Sequence, residues 1–516
     1  MTLRTQHCIA GLWCDSADGA RLPVIDPSTD ELLAEVASGA ADDVDRAVRA
    51  AAAAQPAWWA TGAASRADVL AAIAAAVQAD GEALARLQSR NNGKPLAEAR
   101  LDVADVVACF EYYATLARSV ESDSDTAVKL PDPGYEARVR RVPYGVAALI
   151  VPWNFPMVTT AWKLAPALAA GNAVVLKPSE VTPLPELALA QIVQAALAAH
   201  GQPAGVFNVV VGTGERVGAP LVAHRLARKV SFTGSNPVGT RIAQSAAEAV
   251  KGVSLELGGK SAIVVFDDAD LDEACGLVIG GAFMNAGQMC SATSRVLMQR
   301  GIADALTTRL VAAANALRIG DPLADGTELG PLSSAAQLQR VQRYVAIAAQ
   351  EGLQRLCGGE RVGTRGVFMQ PTLYADVPSA SRLWREEIFG PVACLRTFVG
   401  EADAIALAND SDYGLVSTVV TRDPARAARV ADAIDAGLTW VNMPQLIFPQ
   451  TAWGGMKRSS IGRELGPWGL AAFQQVKHVV TARPHPSPLP QAGEGARTEP
   501  PFPADGRGSG VRAAQS

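Results

Sequence analysis

The chain has 516 residues, 49% of them hydrophobic and 19% charged, so one hydrophobic core does not suffice and two or three subdomains are expected. A net charge of −5 leaves no electrostatic footprint for nucleic acid. The cysteines (Cys8, Cys14, Cys109, Cys275, Cys290, Cys357 and Cys394) are odd in number, scattered and never spaced as CxxC, which speaks against a disulfide framework or a metal site and favours a reducing compartment.

In chain order, no apolar h-region opens the N-terminus, which argues against secretion. Ala- and Leu-rich stretches with helical periodicity follow over 41–60, 64–90 and 92–120. In the third of these, Glu98, Asp102 and Asp105 fall at i, i+4 and i+7, on one helical face; a solvated acidic face is the plain reading. Arg138, Arg140 and Arg141 alternate in a strand-like setting and read as a solvated strand face. The most apolar segment, 146–176, is broken by Pro152, Asn154, Pro156, Lys163 and Pro166, so it cannot span a bilayer as one helix. The expectation is a soluble, cytoplasmic protein without membrane partners.

Short β-branched runs at 146–151, 173–176, 206–210, 229–232 and 261–265 then alternate with helical stretches at 185–200 and 238–249, the pattern of βαβ units around a parallel sheet. A second series has strands near 293–298, 392–398, 416–420 and 438–442 and helices at 302–318 and 334–351. Two α/β halves are the simplest reading. From Arg483 onward the composition shifts to seven prolines and five glycines with little aliphatic content, too little apolar surface to offset the entropy of ordering, so a disordered tail is expected.

Two short segments carry the chemistry. Gly287-Gln288-Met289-Cys290 places a single cysteine in a Gly-Gln context, and Glu256-Leu257-Gly258-Gly259-Lys260 places a carboxylate beside a glycine pair. A thiolate nucleophile and a carboxylate base imply covalent chemistry on a carbonyl. Taken singly, Cys290 reads as inert core, Glu256 as a strand-end carboxylate and Asn154 as a turn residue. Between these segments and the N-terminal half, Gly234-Ser235-Asn236-Pro237-Val238-Gly239 follows an apolar strand and opens an Ala-rich helix, whose N-terminal N–H groups suit a pyrophosphate. Gly212-Thr213-Gly214 comes nearer to the Rossmann spelling and reads as a tight turn.

Seven motifs occur in order: Pro152-Trp153-Asn154-Phe155-Pro156, Lys177-Pro178-Ser179-Glu180, Phe232-Thr233-Gly234-Ser235, Glu256-Leu257-Gly258-Gly259-Lys260, Gly287-Gln288-Met289-Cys290, Glu386-Glu387-Ile388-Phe389-Gly390-Pro391 and Gly462-Arg463-Glu464-Leu465-Gly466. Over roughly residues 8–482 the chain closely resembles the NAD(P)-dependent aldehyde dehydrogenase superfamily. The resemblance implies a thiohemiacetal on Cys290, an oxyanion held by Asn154 and the Cys290 N–H, hydride transfer to a nicotinamide, and hydrolysis of the resulting thioester by water activated at Glu256. It gives Glu464 a place in proton relay, with a buried structural ion pair as the alternative. The cofactor contacts it implies are Trp153, Lys177, Glu180, Gly234, Ser235, Gly239, Leu257, Glu387 and Phe389. Lys177 and Glu180 would hold ribose hydroxyls, and a carboxylate near the 2′-oxygen repels a 2′-phosphate, so NAD is expected.

Phe155, Trp162 and Trp453 match aromatic positions of the betaine-aldehyde and aminoaldehyde dehydrogenase subgroup, where rings hold an ammonium group. Glu98, Asp102 and Asp105 match acids at the tunnel mouth there. The substrate expected is a cationic aldehyde; a general aliphatic or aromatic aldehyde is the alternative. The chain departs from the subgroup at Phe155, where tyrosine is common, and the bulk of Leu438 disfavours betaine aldehyde relative to primary aminoaldehydes. No Arg accompanies the aromatic segments, against a succinate-semialdehyde reading. Retention of Glu256 speaks against acyl transfer to coenzyme A, and the presence of Cys290 against a catalytically silent structural protein. The fold implied is α/β: a Rossmann-like nucleotide domain (1–124 and 144–258), an α/β catalytic domain (259–458), and oligomerisation elements with a C-terminal segment (125–143 and 459–482), whose small sheet would use residues near 125–143 and the strand near 474–482, ahead of the tail (483–516). Its edge strand near 474–482 invites a homodimer or homotetramer.

Overall fold

A computed structural model describes residues 3–120 and 125–483; the tail expected from Arg483 lies, from residue 484 on, outside the described residues. The described residues form two compact units, one of residues 3–120 and 141–477 and one of 125–140 and 478–483.

The larger unit contains two extended sheets. Five strands of the first are parallel, in the spatial order Phe207–Val209, Ala173–Lys177, Val146–Ile150, Ala227–Thr233, Gly252–Glu256. Val146–Ile150 and Ala173–Lys177 are buried along their whole length, the reason they read as unbroken apolar runs. The chain winds outward from Val146–Ile150 in one direction, then returns beside it with Ala227–Thr233. This is a topological switch point, where a crevice opens at the carboxyl ends of the strands. Antiparallel strands close both edges, His7–Ile9 and Leu12–Cys14 on one side and Ser460–Ile461 on the other.

The second sheet runs Gln354–Cys357, Thr372–Ala375, Val392–Phe398, Arg295–Gln299, Ala262–Val265, Val416–Val420, Leu438–Val441, with only the first strand antiparallel to its neighbour. Glu256 ends a strand of the first sheet and Ala262 begins one of the second. The glycine pair between them therefore lies where the carboxyl ends of one sheet meet the amino ends of the other. Cys290 precedes the strand Arg295–Gln299 and Glu387 precedes Val392–Phe398, so both lie at amino ends of the second sheet.

A three-stranded sheet orders Gln474–Ala482, Tyr135–Pro143 and Asp125–Val128 with Tyr135–Pro143 in the middle, and its residues 125–140 and 478–482 fall in the smaller unit. The compact division keeps residues up to 477 in the larger unit. The reason is local: Ser460–Ile461 pairs with Gly252–Glu256, and Glu464 is tied to Lys163. The helix expected over 64–90 is two helices, Gly62–Ala79 and Gly81–Asn92, and a hairpin of Arg21–Ile25 with Leu32–Ala37 precedes them. Among the described residues no single helix is long and apolar enough to cross a membrane, and none of the His, Cys, Asp and Glu side chains form a group able to hold a metal ion.

Candidate active site

The glycine pair fixes how closely three segments approach. A Cβ on Gly258 would lie 2.3 Å from the Glu387 carboxylate, and one on Gly259 would lie 2.5 Å from the Cys290 carbonyl oxygen. Any side chain there would push the segments apart. Gly259 N–H donates to Glu387 Oε1 at 3.0 Å. On the other side of Cys290, Gly287 (φ +71°) packs so tightly that a Cβ would meet the Gly390 carbonyl oxygen at 2.2 Å. Immediately before Gly287, Asn285 and Ala286 both hold left-handed backbone (φ 49° and 53°), strain of the kind that collects at functional turns.

Cys290 is half-buried and unbridged. Burial, with the nearby carboxylates of Glu387 and Glu256, pushes its thiol up to about 12, although the N–H groups of Ser291 and Cys290 itself point to the sulfur. The protein surroundings alone thus hold a thiol, in contrast to the ionised nucleophile that attack requires. Asn154 is buried and its Nδ2 donates to the Gln288 carbonyl at 2.9 Å, two residues from Cys290. Its own carbonyl accepts from Asn285 Nδ2 at 3.0 Å. The asparagine is thereby locked onto the cysteine loop.

Glu256 is 3% exposed and both carboxylate oxygens lack a hydrogen-bond partner among the described residues. Burial first, then the charge of Glu464, hold it well above the usual carboxylate range. Gly454, in an extended left-side conformation (φ +143°), lets the chain pass 2.8 Å from Glu256 Oε1 where a Cβ would sit. Glu464 is an ion-paired residue: Lys163 Nζ donates to its Oε1, as does Ser231 Oγ at 3.3 Å, while Oε2 is unpartnered. Lys163 also donates to Thr233 Oγ1 at 2.6 Å. In the sequence Lys163 stands out only as an interruption of the apolar segment 146–176, not as a site residue. Its signal was there, a lysine in the helix Pro156–Ala169 whose every residue is buried.

At the switch point, Ser235 is exposed and opens the helix Asn236–Glu248, so the helix N-terminus faces the crevice. Gly239 lies under Leu257, where a Cβ would be 2.4 Å from Leu257 Cδ2, and Gly234 N–H donates to the Glu256 carbonyl at 3.0 Å. Lys177 Nζ donates to Glu180 Oε2 at 3.0 Å and to the Pro178 carbonyl at 2.9 Å. Trp153 and Phe389 meet edge to face with centroids 5.3 Å apart. Phe389 has φ +63°, and its segment is held by the helix Ala335–Gln350: Gln337 donates to the Phe389 carbonyl, and Arg340 to the carbonyls of Ile388 (3.0 Å) and Glu387 (2.5 Å). Gln337 and Arg340 act through backbone carbonyls and left no motif to find. Burial raises Glu387 to about 7.

The aromatic residues also converge. Trp162 and Trp453 have ring centroids 5.3 Å apart, and Phe155, Cys290 and Leu438 pack against the cluster that holds them. The three acids of Leu96–Val120 do point to one side, but they are spoken for. Asp102 accepts from Lys94 Nζ at 2.5 Å and Gln88 Nε2 at 2.6 Å, Glu98 accepts the Asn285 N–H at 2.9 Å, and Asp105 accepts from Trp162 Nε1 at 2.8 Å. Lys94 Nζ lies 3.7 Å from the Phe155 ring centroid. The sequence expectation of three acids waiting at a tunnel mouth therefore changes: Asp102 is neutralised by Lys94, and burial raises Glu98 to about 8 and Asp105 to about 7.

A carbonyl-directed cysteine, an amide locked beside it, an unpartnered buried carboxyl and a helix N-terminus at a switch point define an oxidoreductase site of the aldehyde-oxidising kind. The profile of the aldehyde dehydrogenase family matches residues 13–479, and the chain belongs to that family. It is 44% identical over 478 residues to betaine aldehyde dehydrogenase 1 of Oryza sativa subsp. japonica, covering 91% of this chain and 94% of that one. It is 45% identical to the peroxisomal aminoaldehyde dehydrogenase 2 of Pisum sativum, with 92% and 95% covered. Among solved structures, the betaine aldehyde dehydrogenase of Staphylococcus aureus in complex with NAD+ superposes with a TM-score of 0.90 at 36% identity, over 94% of this chain and 96% of that one.

Proposed function

We propose that the protein oxidises a cationic aldehyde, a betaine aldehyde or an ω-aminoaldehyde, to its carboxylate with NAD. The observation that carries the cationic reading is the Trp162–Trp453 pair, with the Asp105 carboxyl hydrogen-bonded to the edge of one ring. A carboxylate there enriches the ring face, and a well-placed ring attracts a trimethylammonium group by roughly 0.5–2 kcal/mol. The named relatives act as a second support.

The residues fit the cofactor. The exposed helix N-terminus at Ser235 suits a pyrophosphate, the Lys177–Glu180 pair suits ribose hydroxyls, and Glu180 disfavours a 2′-phosphate by charge. When bound, NAD accepts the hydride. Cys290 gives its S–H proton to water and its sulfur attacks the aldehyde carbon, Asn154 Nδ2 and the Cys290 N–H hold the oxyanion, and after hydride loss a thioester remains. Glu256 then takes a proton from the water that attacks it, and Cys290 leaves. Burial and the Glu464 charge hold Glu256 above the usual carboxylate range, which strengthens it as a base once it is ionised. The half-buried Leu438, packed in the same cluster as Trp453, supports primary aminoaldehydes over betaine aldehyde. Val476, Val479 and Val480, exposed on the edge strand Gln474–Ala482, support pairing with a second copy as homodimer or homotetramer.

Steady-state NADH production across betaine aldehyde, 3-aminopropanal, 4-aminobutanal, hexanal, benzaldehyde and succinate semialdehyde tests the reading. The expected result is a kcat/KM for the cationic aldehydes about tenfold or more above hexanal, in line with two or more ring contacts. A win for hexanal or benzaldehyde overturns it.

A further inference from the structure

The cysteine loop leaves the helix Leu271–Phe283 through Asn285 and Ala286, consecutive non-glycine residues in left-handed backbone, a conformation that persists only where neighbours over-determine it. Inside the loop, the Asn285 carbonyl accepts the Gln288 N–H at 3.0 Å and Gln288 Nε2 at 2.9 Å. From outside, the Asn154 carbonyl accepts Asn285 Nδ2, and the Ser333 N–H donates to Gln288 Oε1 at 2.9 Å. A further tie comes from Glu98, on the first turn of the helix Leu96–Val120, whose Oε2 accepts the Asn285 N–H at 2.9 Å. Asn285 is 1% exposed, so losing that acceptor would leave a buried N–H unpaired. Glu98 itself is half-buried. Burial, with the Asp102 carboxylate nearby, holds it up at about 8, opposed by Lys94 and the Asn285 N–H. A carboxyl that is largely neutral at pH 7 attracts a cation weakly, yet either protonation state accepts an N–H.

We propose that Glu98 is a positioning residue for the chemical step: through the Asn285 N–H it holds the turn that sets Cys290 and Asn154 against each other. The inference rests on the oxidation reading above, and for this acid it replaces the tunnel-mouth role expected from the sequence. The path is short. Glu98 fixes the Asn285 backbone, Asn285 Nδ2 fixes the Asn154 main chain, and Asn154 Nδ2 donates to the Gln288 carbonyl, two residues before Cys290. Gln288 in turn donates to the Asn285 carbonyl. Asn285, Asn154 and Gln288 thus close a ring of hydrogen bonds, and Glu98 anchors that ring to the long helix. About two turns further along the same helix face, Asp105 accepts from Trp162 Nε1. One rigid element therefore positions both the nucleophile loop and a ring proposed to meet the cationic end of the substrate.

Glu98→Gln keeps an oxygen at the same reach and drops the charge. Glu98→Asp keeps the charge and falls short by a methylene, and Glu98→Ala removes both. The readouts are the NADH burst rate, kcat and KM for 4-aminobutanal and hexanal, and deuterium uptake of the segment 284–290. In Glu98→Ala and Glu98→Asp the burst rate and kcat should fall by about tenfold to 10²-fold for both aldehydes, with KM little changed, as for a small misplacement of reacting groups. Uptake of 284–290 should be faster in the same two variants, and Glu98→Gln should match the wild type in every readout. A charge at a tunnel mouth predicts the opposite ranking: Glu98→Asp normal, Glu98→Gln impaired, and the loss confined to KM for 4-aminobutanal. That ranking overturns the assignment, as does a wild-type kcat in Glu98→Asp. Should Glu98→Ala fail to fold, the other two variants decide. A wild type that gives no NADH with any aldehyde overturns the oxidation reading instead, and the uptake ranking still tests the hold on the loop.

Discussion

Two buried lysine–carboxylate pairs flank the segment that carries Asn154 and Phe155. In one, Lys94 and Asp102 are closed on themselves: the acid also accepts from Gln88, and the ammonium lies over the Phe155 ring. In the other, Lys163 and Glu464 stay open, with hydroxyls of Thr233 and Ser231 attached and Glu464 Oε2 left without a partner next to an equally unpartnered Glu256. The same chemical unit serves two ends. A satisfied pair fixes the position of a ring, whereas an unsatisfied one keeps groups ready for protons, at a cost in stability that only function explains.

The largest expected effect sets the scale for the comparison. Cys290→Ala should abolish NADH formation, a loss of about 10⁴-fold or more, with the fold retained by circular dichroism. Breaking either pair comes next: Lys94→Met and Lys163→Met should each destabilise by about 3–5 kcal/mol in denaturant unfolding, because each leaves a buried carboxylate without its countercharge. Only Lys163→Met should also slow hydrolysis of the acyl-enzyme, and equal kinetic effects from both would erase the distinction. Asn154→Ala should lower kcat by about 10²–10³-fold while substrate affinity holds, as expected for a lost oxyanion donor. Trp453→Ala should weaken kcat/KM for trimethylammonium and aminoaldehydes by the equivalent of about 0.5–2 kcal/mol and leave hexanal nearly untouched. The smallest effect concerns the nucleophile. Since the Glu387 charge helps raise the Cys290 thiol, Glu387→Gln should move the pH profile of cysteine alkylation to lower pH, and a shift to higher pH would contradict the assignment.

Much of this was legible beforehand. The β-branched runs at 146–151 and 173–176 became central parallel strands because a strand buried on both faces has to be apolar throughout, whereas the strand at 229–232 buries Lys229 and Ser231 as well. The Gly258-Gly259 pair announced a close approach, though not that Glu387 and the Cys290 carbonyl are what approaches. The face shared by Glu98, Asp102 and Asp105 followed from helical geometry, yet their partners did not. Lys94, Asn285 and Trp162 lie 8, 187 and 57 residues away along the chain, and pairing over such separations is set by packing. Lys163 and Lys229 were equally silent, because a lysine in an apolar run reads as an interruption until its partner is known.

The amino-acid sequence by itself determined the α/β architecture, the order of the strands' apolar segments and the residues able to form a thioester, since these depend on periodicity and on side-chain chemistry. Only the tertiary structure decided which carboxyls are free and which are paired, because charge, burial and proton affinity belong to neighbours brought together across the sheets.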